Sequence, residues 1–186
     1  MARLIERSDI IDYQTYEDVR EATRDRILEV KRVRRIHLGE YLTFLFENRD
    51  TLAYQVQEIM RAERIARESA IVHEIGVYNS MLGQPGDLGC ALLIEIAEAA
   101  DRKPLLQRWL GLEATLYVRL EDDTKVYALF DEGQVGDDRL SAVQYLRFSV
   151  GDGVPVAIGT DFDDLLQEVD FTPDQQAALV ADLAAR

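Results

Sequence analysis

The chain has 186 residues, 47% of them hydrophobic, and a net charge of −14 with only two histidines and one cysteine. That length and apolar content can bury one sizeable core, so a single domain over residues 1–186 is expected. The charge argues against nonspecific nucleic-acid binding. No apolar run reaches the ~20 residues of a membrane span, and MARLIERSDIIDY carries acids where a signal peptide needs its apolar core, so a cytoplasmic protein is expected.

In chain order, Thr15 followed by Asp18 predicts a helix to about Arg34, with Tyr16, Val19, Thr23, Ile27 and Val30 inward. Its basic end, Lys31, Arg32, Arg34 and Arg35, reads as a solvated helix terminus or as a site for an anion or acidic partner. His37-Leu-Gly39 turns the chain into a strand, Tyr41–Glu47, whose two faces are both largely apolar, as in a central strand. At Glu47-Asn48-Arg49-Asp50 the pattern changes to a helix, which Asn48 or Asp50 can cap. Winding that helix gathers Leu52, Val56, Ile59 and Met60 into a stripe, with Glu63 inside it. Glu63 there is either a rim residue paired with Arg67 or a buried functional acid. On the opposite face, Tyr54, Glu58, Arg61 and Ile65, with Gln57 and Arg64 beside them, form an expected contact surface.

The next predicted helix, Ser69–Leu82, is apolar nearly all round, which suits a core-sandwiched or partner-covered element. Beyond the glycine-rich turn 83–89, strands are predicted at Cys90–Ile96, Ala114–Leu120, Lys125–Phe130, Ala142–Val150 and Val154–Ile158, with a short helix at Arg102–Leu110. The 121–124 turn makes one hairpin, and Gly151-Asp-Gly153 is read as a second. Thr172-Pro173-Asp174-Gln175 starts a closing helix, Asp174–Ala185. The expected fold is α+β: a helical part over about 1–82 packs on a mainly antiparallel sheet over about 88–170, closed by a helix over about 173–185.

Little in this chain suggests chemistry. Cys90 lies in an apolar run and reads as a buried thiol. Neither His37 nor His73 has a second histidine at helical spacing; His73 and Glu74 with Glu58 and Glu63 give only a weak metal set, so no metal or cofactor is expected. Asp161, Asp163 and Asp164 resemble the start of a calcium loop but lack its later ligands. In Ala142–Val150, Gln144 falls on the core face and reads as an amide satisfied by backbone, while Arg147 beside Tyr145 faces the other way. Arg147 is a candidate carboxylate contact or a structural ion-pair partner.

The segments FENRDTLAYQVQEIMRAERI and SAVQYLRF, with LLIEI and LGLE between them, resemble a bacterial family built on domain of unknown function 3501, over nearly the whole chain. The resemblance brings no catalytic residues. It implies a setting beside rubrerythrin-like and iron–sulfur redox proteins, which makes such a protein the expected partner, along with a second copy of the chain. The leading expectation is therefore a non-catalytic accessory protein that docks on an iron-containing redox partner. The alternative is a small-molecule-binding enzyme or sensor with a carboxylate/arginine pocket. Candidate binding residues are Tyr54, Glu58, Arg61, Glu63, Arg64, Tyr145 and Arg147.

Overall fold

The computed structural model describes residues 4–131, 133, 136 and 138–185. Helix α1, Tyr13–Arg32, starts two residues before the expected position because Asp12 caps it, accepting from the amides of Gln14 and Thr15. It leads into a strand the sequence pattern did not separate from the turn: β1, Arg35–Leu38, antiparallel to β2, Leu42–Phe46. Every residue of β2 is buried, as its two apolar faces predicted. Asn48 caps α2, Arg49–Glu63, which stops where Arg64 turns left-handed at φ 53°. A third helix, α3, Glu68–Met81, returns toward the sheet.

The strands form two antiparallel sheets. The first has the order β1-β2-β3-β7-β6, with β3 at Asp87–Ile94, β6 at Leu129–Phe130 and β7 at Val143–Ser149. The second has the order β5-β4-β8-β9, with β4 at Leu116–Leu120, β5 at Lys125–Tyr127, β8 at Pro155–Thr160 and β9 at Gln167–Asp170. The single expected strand 125–130 is thus two, with a bend at Ala128 that carries the chain from one sheet to the other. The Gly151 turn likewise joins strands of different sheets and makes no hairpin, whereas β4 and β5 do pair across the 121–124 turn. The short helix α4, Ala99–Arg108, precedes β4.

The sheets face each other across the larger core, where Phe44, Phe46, Leu92, Leu146 and Phe148 of the first meet Leu116, Val118 and Ile158 of the second. Gln144 is buried among them and donates to the Ser141 carbonyl at 3.0 Å, so its core-face placement is satisfied by backbone. A second core, Leu52, Val56, Met60, Ile71, Ile75 and Leu82 with Ile5 and Ile10, holds α2 and α3 together. The C-terminal helix α5, Pro173–Ala184, begins with the predicted capping box of Thr172 and Gln175. Just before it, Phe171 packs edge-on against Phe46 with ring centroids 6.1 Å apart, and Leu179 is fully buried, which fixes α5 over the end of the first sheet.

Candidate functional site

At the junction between β2 and α2, a pocket of about 490 Å³ opens beside Glu47. The N-terminal turn of α2 supplies Asn48, Arg49 and Asp50, the start of β3 supplies Asp87, Leu88 and Gly89, and α5 supplies Ala181, Asp182, Ala184 and Ala185. Leu82 at the end of α3 and Arg34 before β1 complete the wall. Gly89 is required here: a β-carbon on it would lie 2.2 Å from the Met81 carbonyl oxygen, so only glycine lets α3 end against this strand.

Its charges are held in two ways. The Arg34 guanidinium is 8% exposed and grips Asp182 with both Nε and Nη2, at 2.7 and 2.9 Å, while its Nη1 donates to the Val30 carbonyl. Asn48 Nδ2 donates to the same Asp182 at 3.2 Å, so one α5 carboxylate locks the end of α1 to the start of α2. Glu47 is 7% exposed, and its carboxyl meets the Thr51 hydroxyl. Burial pushes Glu47 above the usual carboxylate range, outweighing that hydrogen bond and the pull of Lys31 and Arg34. Lys31, half-buried on α1, is shifted the other way: burial lowers its amine, partly offset by Glu47. The pocket therefore sets a buried carboxyl with a raised pKa beside the Arg34–Asp182 ion pair.

The predicted binding residues do not converge. Glu58 accepts from the Tyr16 hydroxyl at 2.7 Å and from Arg20 at 2.9 and 3.0 Å. Burial alone would raise its pKa, but the hydrogen bonds from Arg20 and Tyr16 and the charge of Arg20 and Arg61 hold it below the ordinary value. Arg61 lies 3.6 Å from Glu58 and 3.7 Å from Glu17, closing an α1–α2 surface network. Tyr54 is half-buried under the Lys31 ammonium, 5.4 Å from the ring centroid, and Ile65 packs on the second core, so the expected exposed pair is absent. Arg64 and Glu63 are exposed at the end of α2, and Glu63 makes no ion pair with Arg67 among the described residues. The helical wheel placed Glu63 in the buried stripe, but α2 stops at that residue, one turn beyond its covered length.

On β7, Tyr145 and Arg147 share the predicted face and line a separate groove with Ser80 and Met81. Arg147 Nε comes within 3.4 Å of Asp87, which also lines the Glu47 pocket. Among the described residues no three His, Cys, Asp or Glu side chains gather so as to hold a metal ion, and Glu58 of the suggested set is committed to Arg20. His37 is held elsewhere, 2.8 Å from the Thr43 hydroxyl, which donates to Glu95. Cys90 is fully buried and its thiol is pushed well up by that burial. The sequence placed Glu47 at the junction but not as a functional acid. Its signal was a carboxylate ending an otherwise apolar strand, one residue before a helix cap.

Two facing antiparallel sheets, a helical layer and a pocket built around a buried carboxyl define an α+β protein with a ligand-sized cleft. Residues 4–183 match the model of a family described as protein of unknown function (DUF3501), and the chain belongs to that family. A crystal structure of a protein of unknown function from Burkholderia pseudomallei is similar over 96% of this chain and 98% of that one, with a TM-score of 0.87 at 29% identity. No curated protein matches. No helix is long and apolar enough to cross a membrane among the described residues.

Proposed function

We propose that this chain is a small-molecule-binding protein, a sensor or an enzyme, whose ligand occupies the pocket between α2, β3 and α5. The observation that carries this is Glu47: a buried carboxyl with a raised pKa, bordering a pocket of about 490 Å³ whose size suits a small metabolite. The carboxylate/arginine pocket expected from sequence is thereby assigned to Glu47 and the Arg34–Asp182 pair instead of Glu63, Arg61 and Arg147. A cytoplasmic location is part of the proposal. The test is native purification from the host followed by mass spectrometry of small molecules released on denaturation. A metabolite carried by the wild type and lost in Ala181→Leu, which narrows the apolar wall, is expected; identical profiles would overturn the proposal.

The second reading is an accessory role on an iron-containing redox partner, rubrerythrin-like or iron–sulfur. It is supported by Val72 and Val77, 52% and 41% exposed on the outer side of α3. Specific enrichment of such a protein by the wild type, lost in Val72→Asp/Val77→Asp, is its expected result.

A further inference from the structure

The pocket's own hydrogen-bond inventory narrows the ligand class, an inference that rests on the ligand-binding proposal above. Both arginines that line it are committed. Arg34 is spent on Asp182 and the Val30 carbonyl, and Arg49 gives Nε to the Leu4 carbonyl and Nη2 to Asp9. Asp182 is committed too, accepting twice from Arg34 and once from Asn48. The capacity left over is mainly acceptor capacity. Among the described residues the Glu47 carboxyl accepts a hydrogen bond only from Thr51, and Asp50, half-buried in the first turn of α2, has no hydrogen bond or ion pair. Between these carboxyls the wall is aliphatic, formed by Leu82, Leu88, Ala181, Ala184 and Ala185. The positive end of α2 opposes a cation here, but Asn48 already occupies one of its free amides, and the effect fades within a turn.

We propose that the pocket takes a ligand with a basic nitrogen on a short aliphatic body, its ammonium or amidinium group seated on the Glu47 carboxylate and its chain along Leu88 and Ala181. Seating a cation requires Glu47 to be ionised, so a protonated Glu47 releases its proton as the ligand enters. Several charges face this carboxyl: Lys31 of α1, Arg34, Arg49 and Asp50 beside it, Asp87 of β3 and Asp182 of α5; Cys90 of β3 and Tyr78 of α3 are the neutral titratable neighbours. Of the nearby cations, Arg34 and Arg49 are paired and Lys31 is desolvated, so the carboxyl has room for a further positive partner.

The experiment is titration calorimetry and ligand-observed NMR with three probes that differ only in the head group: hexylamine, hexanoate and hexanol. Hexylamine is expected to bind at least about tenfold more tightly than hexanoate. Its affinity should rise with pH through the carboxylate range and then level off, with heats in two buffers of different ionisation enthalpy reporting proton release. Glu47→Gln should lose the preference, and Ala181→Leu should lose binding while leaving all the charges in place. If Glu47→Gln does not fold, Ala181→Leu and the proton count carry the test. Hexanoate binding as tightly as hexylamine, or no proton release at any pH at which the protein stays folded, would overturn the amine assignment. If none of the three probes binds while the host metabolite is still found in the pocket, the amine assignment falls and the ligand-binding proposal stands; the loss of both removes both.

Discussion

Asp182→Ala tests how far the pocket depends on one carboxylate. The substitution leaves Arg34 in place at 8% exposure with both hydrogen bonds to Asp182 gone, and it frees Asn48 Nδ2 as well. Arg34 touches solvent only where it lines the pocket, so most of its hydration is not recovered, and breaking a buried pair from one side costs about 3–5 kcal/mol. Against a typical total of about 5–15 kcal/mol, that is a large fraction. Urea denaturation followed by far-ultraviolet circular dichroism should show the midpoint falling with the slope unchanged. Removing both charges in Arg34→Met/Asp182→Leu should restore most of the loss, because the pair's own desolvation cost disappears with it. A loss below about 1 kcal/mol for Asp182→Ala would mean that Arg34 finds water in the pocket or another partner, and that the pair behaves as an exposed one.

Glu63→Gln should change stability by less than about 0.5 kcal/mol in denaturant melts, because Glu63 is exposed and has no ion-pair partner among the described residues; a loss above about 3 kcal/mol would restore a buried role. Gly89→Ala drives a β-carbon into the Met81 carbonyl and should cost at least about 2 kcal/mol, read as a lowered urea midpoint. Glu47 makes a prediction about pH. A carboxyl whose pKa is raised on folding holds its proton longer folded than unfolded, so its contribution is intact below the unfolded value and is lost as pH rises through the folded one. Glu47→Gln removes that loss, so its stability relative to wild type should increase from pH 4 to pH 8 in parallel melts; a flat or falling difference contradicts the burial argument. Glu58 has the opposite sign, since its folded pKa is depressed: its contribution is present above the unfolded value and lost as pH falls through the folded one, and Glu58→Gln should flatten that acid limb of the urea midpoint.

The parts of the fold that were legible in the sequence are those written in local chemistry. Asn48 and Thr172 mark their helix starts because a capping side chain needs only residues three positions away. The two apolar faces of Leu42–Phe46 announce a central strand for the same reason. β9 was missed because Glu168 and Asp170 alternate outward on an edge strand with little apolar signal. The pocket was half legible: the junction at Glu47–Asp50 was singled out, but its decisive partner, Asp182, lies 148 residues from Arg34, a distance that no periodicity reports. The Tyr54–Arg64 face misled for the converse reason. Glu58 at its centre is taken up by Tyr16 and Arg20 of α1, and only the packing of those helices reveals that.

The bend at Ala128 has a consequence for how copies of this chain can meet. Because β5 runs on into β6, one margin of each sheet is continuous with the other. At the opposite margin β1 approaches β9, where Gln167 crowds Gly39 and Gln175 of α5 donates to the Arg35 carbonyl at 3.2 Å. Open ladders are where strands of separate molecules zip together into aggregates, and here the margins are folded onto each other, capped by an amide, or flanked by the outward carboxylates of β9. Self-association by strand addition is thereby disfavoured.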